Sequence, residues 1–413
     1  MDKTDRLLIV GAGQAGFATA AKLRALKDIR PVTIVGAEDV LPYQRPPLSK
    51  KYLLGDMSFE RLLFRPKQWY ADNDVDVRLS TRVERIDRAG KQVVLQDGSV
   101  LDYGTLLLAT GSTPRQLPEA IGGALSGVYV MRDKRDADCL AQAMQPGHHA
   151  LIIGGGYIGL EAAAVARNRG LAVTVIEMAD RILQRTAAPQ TAEIIRAIHA
   201  SHDVAIREKT GLDHLMGKDG RVIAARLSDG TMIDVDCVIV GIGVAPNDHI
   251  AAAAGLTVGN GIVVDEFGQT SDPSVYAAGD CASFPWQDGR IRFESVQNAV
   301  DQAEAVAETI GGCGAPYRPN PWFWSDQYDI KLQIAGFNLG YDKTLMRPGR
   351  REGACSIWYF RQGAFVSVDA INDAVAYQVG RKMLELGINP PAATLADPSS
   401  DLKQLLLVES ESR

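Results

Sequence analysis

Two glycine frames constrain this chain more than any other feature. The stretch LLIVGAGQAGFATAAKL sets Gly11, Gly13 and Gly16 in a GxGxxG pattern, and ALIIGGGYIGLEAAAVA sets Gly154, Gly156 and Gly159 in the same pattern. Each frame follows a short apolar run, expected as a strand, and opens an alanine-rich run, expected as a helix. The first glycine permits a tight turn out of the strand, the second lets backbone approach a pyrophosphate, and the third lets the helix lie close on the sheet. The helix N-terminus then offers free N–H groups and a partial positive charge to the phosphates. One frame alone is weak evidence. Two, about 140 residues apart, point to two adjacent nucleotides and electron transfer between them.

The bulk properties narrow the class. At 413 residues the chain exceeds what one hydrophobic core supports, so two or three domains are expected. Its 44 basic and 50 acidic residues argue against nucleic acid as the main partner. Five cysteines (Cys139, Cys237, Cys281, Cys313 and Cys355) show no CxxC pair, so no metal site is expected. An odd, scattered set suits free thiols in a reducing cytoplasm. The charged MDKTDR followed by an apolar run mimics a signal peptide, but the glycine phasing and its second copy favour strand, turn and helix. No apolar run reaches about 18 residues, so no membrane span is expected.

Along the chain, residues 7–10 and 32–35 read as buried strands around a helix at 14–26. LPYQRPPLSK (41–50), with three prolines, is expected to be an extended loop. Asp97-Gly98 and Asp229-Gly230 mark hairpin turns. The apolar run at 106–108 leads into ATG with Pro114 and Pro118 beyond, and that at 238–240 into GIGVAPN with its Pro246, so residues 115–246 read as an insertion into a first domain that resumes near Asp248. Residues 296–310 carry Ala299, Val300, Ala303, Val306 and Ile310 on one helical face. Residues 317–413 read as an α+β domain with strands at 356–360 and 364–368 and helices at 374–386 and 402–407.

Acidic residues distinguish the two frames. Glu177 ends the second strand of the second frame, where a carboxylate accepts hydrogen bonds from ribose hydroxyls and repels a 2′-phosphate. NADH is therefore expected there over NADPH, with Arg181 and Arg185 as nearby cations that temper the preference. The matching position of the first frame is Gly36, and Glu38, two residues on, is the candidate for the ribose or else a surface acid. In TSDPSVYAAGD, Gly279-Asp280 places a carboxylate at a strand's C-terminal edge, suited to a ribityl hydroxyl. The helix after Glu294 would aim its positive end at a flavin's pyrimidine edge.

GAGQAG, RPPLSK, LLLATG, GGGYIGLE, GIGVAPN, YAAGD and PWFWSDQY, in this order across nearly the whole chain, resemble the FAD-dependent, NADH-linked ferredoxin reductases. The resemblance implies a glutathione reductase-like α/β architecture: an FAD domain (1–114 and 247–316), an inserted NAD domain (115–246) and a C-terminal α+β domain beside the flavin (317–413). For FAD it implies Ala15 at the pyrophosphate, Val83 on the adenine side, and Arg132 along the site. It places Asp280 on the ribityl chain, Val296 at the pyrimidine edge, Lys50 near the isoalloxazine and Trp324 shielding the ring. Thr110, Gly111 and Gly279 belong to the same flavin motifs. For NADH it implies Gly156, Tyr157 and Ile158 at the pyrophosphate, Glu177 at the ribose, and Glu161 and Gly243 near the nicotinamide. Lys50 and Glu161 are expected to pair and to carry the catalytic role, or else each satisfies a local polar partner.

Absent chemistry is equally informative. No cysteine precedes Cys139, and Leu-Pro-Tyr-Gln occupies 41–44, so a redox thiol beside the flavin is not expected. Electrons delivered in pairs by NADH must then leave another way, and flavin can release them singly, which suits a separate 2Fe-2S ferredoxin supplying a haem-thiolate monooxygenase or a ring-hydroxylating dioxygenase. Arg347–Arg351, with Lys331 and Arg361, is the candidate docking stripe for such an acidic partner, or else a set of scattered solvated charges. Rubredoxin reductase, NADH oxidase and an apoptosis-inducing-factor-like NADH-responsive sensor stand as alternatives. A monomer or weak homodimer is expected.

Overall fold

The computed structural model describes residues 5–287 and 289–411. It has two compact units. The first takes the chain up to Pro46, Ser58–Thr113 and Val244–Pro319; the second takes Pro47–Met57, Pro114–Gly243 and the chain from Asn320.

The first unit is built on a five-stranded parallel sheet in the order Val275–Ala277, Thr105–Leu108, Leu7–Val10, Val32–Val35, Val75–Arg78. Leu7–Val10 is buried along its whole length, which is why it is apolar without alternation. Its last residue, Val10, stands opposite Val35 and Leu108, so three strands finish together at one edge. The helix Gln14–Ala25 leaves that edge and packs on the helix Val296–Ile310 through small residues. Thr19 Oγ1 donates to the Ala15 and Ala303 carbonyls at 3.0 and 3.3 Å, using its hydroxyl inside the helix pair. Leu7, Ile9, Leu23, Ile34, Leu107 and Val306 form the core around them. The expected Asp97-Gly98 hairpin joins Gln92–Leu95 to Val100–Asp102.

The second unit repeats the plan. Its parallel sheet runs Val204–Arg207, Ala172–Ile176, His149–Ile153, Cys237–Val240, Val128–Tyr129, again with the glycine-frame strand at the centre. The unit also carries a five-stranded antiparallel sheet in the order Trp322–Gln327, Ile330–Gly336, Ala364–Ile371, Cys355–Arg361, Lys343–Pro348. The helix Ala374–Leu386 covers it, packing Ala376, Tyr377, Val379 and Met383 with Trp358 and Val368. Asp373 caps this helix by accepting from the Ala376 N–H at 3.0 Å, and Gly387 ends it at φ 65°.

Two expectations need correction. The segment 41–50 is not wholly extended: Pro46–Ser49 is a turn of 3₁₀ helix, and Lys51–Leu54 continues it as α-helix. Proline's fixed φ suits a helix start, so consecutive prolines open this turn rather than forbid it. Arg347 is also not a docking residue. It is buried, and its guanidinium donates to the carbonyls of Leu395, Asp397 and Ser400 at 2.8, 2.6 and 2.6 Å. Arg347 thereby ties the last stretch of chain to the antiparallel sheet.

Asp369 lies fully buried in that sheet, accepting from Thr191 Oγ1 at 2.6 Å and from the Tyr359 hydroxyl. Burial pushes its carboxyl up to about 6 from the ordinary 3.8. The folded state therefore binds this proton more tightly than the unfolded chain. Its stabilising share is complete below pH 3.8 and is lost as pH climbs through about 6. Asp369→Asn is expected to stabilise the protein by up to about 3 kcal/mol near neutral pH, with the gain vanishing below about pH 4. Thermal melts of both proteins across that range provide the check. A gain that grew towards low pH would contradict the assignment.

Candidate dinucleotide sites and the buried acid

The two glycine frames can be tested atom by atom. A Cβ on Gly11 would lie 2.1 Å from the Ala109 carbonyl oxygen, and one on Gly16 would lie 2.0 Å from that of Gly11. The equivalents in the second frame are 2.4 Å from Gly241 O for Gly154 and 2.2 Å from Gly154 O for Gly159. The middle glycines behave differently: Gly13 and Gly156 face no heavy atom within 4 Å. Outer glycines are thus consumed by packing, while each middle glycine opens onto space at a helix N-terminus. That is the cradle a pyrophosphate needs, and both frames fit a dinucleotide.

In the first unit, Ala15 is buried one residue before Gly16. Thr110 and Gly111 form the turn after Thr105–Leu108, held by Asn247: its Nδ2 donates to Thr110 O, its N–H donates to Gly111 O, and Thr110 Oγ1 donates to Asn247 O at 2.6 Å. The GIGVAPN motif therefore serves to lock LLLATG. Gly279, at φ 81°, donates its N–H to Gln302 Oε1, and a Cβ there would press Ala15 at 3.1 Å. Asp280 follows at the strand edge and accepts from Ser112 Oγ at 2.8 Å. Val296 is the first residue of its helix, half-buried behind the cap Ser295. Glu38 is engaged by Tyr43 and Arg45 of the proline-rich segment, which fixes its direction. Val83 begins the strand Val83–Asp87 and is half-buried.

In the second unit, Glu177 has a structural task. Its two oxygens accept from the Gly155 N–H at 2.7 Å and the Ala179 N–H at 2.8 Å, so it pins the glycine turn. Arg181 donates to the Ile182 and Ala187 carbonyls at 3.1 and 2.7 Å, so its guanidinium is engaged by backbone. Arg185 approaches Gly243, which sits at φ 95°. Tyr157 buries its ring against Phe323, with centroids 4.9 Å apart, so only its backbone is at the helix start. Ile158 is half exposed beside it. Arg132 belongs to this unit, next to Asp133, which caps the helix Lys134–Ala143.

Lys50, Glu161 and Trp324, far apart in sequence, meet in the second unit. The 47–57 segment is held there by Tyr52, which donates to Asp138 at 2.6 Å, and by Arg169, which donates to the Leu53 carbonyl at 2.8 Å. Lys50 Nζ then lies 3.1 Å from Glu161 Oε1, 3.5 Å from Asp326 and 5.6 Å from the centre of the Trp324 ring. Glu161 is 94% out of contact with solvent, its relative exposure being 6%. It also accepts from Ser49 Oγ at 3.1 Å and Ser325 Oγ at 2.7 Å. Burial pushes its carboxyl up; Lys50 and both serines pull it back. Sequence reasoning missed Ser49, Ser325 and Asp326, although all three lie within two residues of Lys50 or Trp324. Cys281 is sealed in the first unit, its thiol pointing to carbonyls of Leu108 and Ala278, and burial raises its pKa. It is a packing residue.

Two parallel-sheet units, each presenting a dinucleotide cradle, define a nucleotide-linked oxidoreductase. Residues 5–303 match the pyridine nucleotide-disulphide oxidoreductase model, and residues 322–406 match the reductase C-terminal model. The chain belongs to this family, with the glutathione reductase-like α/β fold that its motifs led us to expect. It is 42% identical over 405 residues to a ferredoxin–NAD(P)(+) reductase of a Sphingomonas species, covering 97% of both chains. It is 41% identical to rhodocoxin reductase of Rhodococcus erythropolis, covering 96% of this chain and 93% of the other. The covalent putidaredoxin reductase–putidaredoxin complex matches with a TM-score of 0.95 at 37% identity, over 99% of this chain and 100% of that one. Among the described residues no helix is long and apolar enough to cross a membrane.

Proposed function

We propose that the protein is an FAD-dependent NADH:ferredoxin oxidoreductase. It takes reducing equivalents from NADH and passes them singly to a 2Fe-2S ferredoxin serving a haem-thiolate monooxygenase or a ring-hydroxylating dioxygenase. The observation that carries this reading is the pairing of two dinucleotide cradles with no cysteine before Cys139 and a sealed Cys281. When bound, FAD supplies a carrier that accepts a hydride and gives up electrons one at a time. A thiol acceptor of the kind the family name implies is missing, so the electrons go to a separate carrier. The relatives support the same reading: one is named as a ferredoxin reductase, and another is held in complex with its putidaredoxin.

In this reading the first unit holds FAD. Gly11, Gly13, Ala15 and Gly16 receive its pyrophosphate, Glu38 and Val83 its adenosine side, and Asp280 its ribityl chain. Thr110, Gly111 and Gly279 shape the wall, and Val296 brings a helix N-terminus to the pyrimidine edge. Arg132 adds a cation along the site, while Lys50 and Trp324 attend the isoalloxazine. Gly154, Gly156, Tyr157, Ile158 and Gly159 receive the pyrophosphate of NADH, Glu177 its ribose, and Glu161 and Gly243 its nicotinamide. The division into 1–114 with 247–316, 115–246 and 317–413, and a cytoplasmic location, belong to the same proposal.

The direct test is NADH-driven reduction of a panel of purified 2Fe-2S ferredoxins, with NADPH as control. At least one ferredoxin should be reduced, and NADPH should serve poorly. Failure with every ferredoxin, together with rapid consumption of oxygen, would overturn the reading. Coenzyme choice has its own test. Glu177→Ala removes the carboxylate that repels a 2′-phosphate and frees the Gly155 N–H. The ratio of kcat/KM for NADH over NADPH should fall about tenfold to a hundredfold. An unchanged ratio would remove Glu177 from the ribose site.

A further inference from the structure

A line of buried polar groups leads away from Glu161. Ser325 Oγ is 2.7 Å from Glu161 Oε1, and Gln327 Nε2 is 3.1 Å from Ser325 Oγ. Gln327 Oε1 is 2.8 Å from His199 Nε2, and the Tyr328 hydroxyl is 3.3 Å from His199 Nδ1. Ser325, Gln327 and His199 are sealed from solvent. Tyr328 is half-buried and stacks on His202 at 3.6 Å, so the line runs from the buried acid to the surface. His199 comes from the helix Pro189–Ser201, and the other three come from the strand Trp322–Gln327 and the residue after it.

An ionised Glu161 fixes the direction of every bond in this line. A carboxylate only accepts, so the Ser325 hydroxyl donates to it. The Ser325 oxygen then accepts from the Gln327 amide, which turns the Gln327 carbonyl towards His199. His199 must donate from Nε2, leaving Nδ1 bare to accept from Tyr328. Four donors thus point one way, each polarising the next. The charged and titratable groups facing the line are Lys50 and Asp326 at the Glu161 end. At the other end stand His202 and Arg167, the latter paired with Asp203. Burial, with a smaller push from His202, lowers the His199 pKa against the opposing Gln327 hydrogen bond, the direction that an accepting Nδ1 requires.

We propose that Ser325, Gln327, His199 and Tyr328 form a one-way donor chain that holds Glu161 ionised. His199 is then a positioning residue for the Lys50–Glu161 pair, and its tautomer registers the charge on Glu161. The inference rests on the reading of Glu161 as the nicotinamide-side acid only for its catalytic consequence. A proton on Glu161 would let the acid donate to Ser325, reverse each bond, turn the Gln327 amide and move the imidazole proton to Nδ1.

The test starts from the full-length protein labelled with ¹⁵N-histidine. His199 is assigned among the six histidines by the signal lost in His199→Gln. The expected result near neutral pH is the Nε2–H tautomer. An Nδ1–H tautomer or an imidazolium would overturn the chain, whatever reaction the enzyme performs. The second arm follows the protonated-carboxyl infrared band of Glu161, assigned by its loss in Glu161→Gln. In His199→Leu it should persist to a pH about one unit higher, a tenfold change in the acid constant. His199→Gln, whose amide can still donate to Gln327, should return the titration towards the original. Tyr328→Phe removes only the half-buried terminal donor and should shift it in the same direction as His199→Leu. An unmoved carboxyl titration in both His199→Leu and Tyr328→Phe would overturn the proposal. Neither arm needs NADH or ferredoxin, so both are separate from a failure of the proposed reaction.

Discussion

Gly16→Ala is expected to cost about 3 kcal/mol or more and to yield a protein that retains little FAD, whereas Gly13→Ala should fold normally. The difference follows from position alone. The Gly16 methyl would lie 2.0 Å from a backbone oxygen in the turn that the helix must approach, and backbone cannot swing aside as a long side chain can. The Gly13 methyl would meet nothing within 4 Å. It would instead fill the space in front of the helix N–H groups, so its effect should fall on nucleotide affinity. The second frame offers the same contrast with a cleaner readout. Gly156 has an ordinary extended backbone, φ −82° and ψ 175°, which alanine adopts without strain. Gly156→Ala should leave the melting temperature nearly unchanged while raising KM for NADH tenfold or more; Gly159→Ala should lower the melting temperature outright. Equal thermal losses in both variants would show that the middle glycines are packing residues too.

Lys50→Ala should slow NADH-driven reduction of the enzyme by about a hundredfold without loss of bound FAD. Lys50 is the only cation within 4 Å of Glu161 among the described residues, and it is shared with Asp326. Removing one member of a buried ion pair costs about 3–5 kcal/mol if the other stays charged. Glu161 has a less costly escape: burial already pushes its carboxyl up, so without Lys50 it takes a proton at a higher pH still. The variant should therefore be only modestly less stable, and its lost rate should recover in part as pH is raised and Glu161 ionises. Lys50→Arg keeps a charge but not the compact ammonium that reaches Glu161, Asp326 and the Trp324 face together, so it should recover only a fraction. Stopped-flow reduction by NADH, with flavin absorbance confirming occupancy, reads both effects. Unchanged reduction kinetics in Lys50→Ala would remove the pair from the mechanism.

Much of this was legible in the sequence, because glycine frames and strand-ending acids encode local geometry. The turns at Gly11 and Gly154, the helices after them, Glu177 and Asp280 all lie within a few residues of the pattern that announces them. What was hidden depends on pairs far apart in the chain. The contact of His199 with Gln327 spans 128 residues, and no local pattern marks either as a partner of Glu161. Arg347 read as surface charge because RPGRR looks like a solvated stripe; burial and four carbonyls from residues 395–400 give it a structural task instead. The proline pair of RPPLSK signalled a break in regular structure, but a 3₁₀ turn begins in the same way as a break. Glu177 was named for its ribose role, and only the structure adds that it clamps the Gly155 N–H.

The chain changes unit after Pro46, Met57, Thr113, Gly243 and Pro319. No single cut separates two self-sufficient pieces, and a nascent chain released at residue 250 would have Glu161 without Ser325. The buried acid acquires its last hydrogen-bond donor only once synthesis has passed residue 325. Assembly of the second unit is thus committed to late, long-range closure, which favours slow folding and a window in which a half-built acid pocket is open to water and to chaperones.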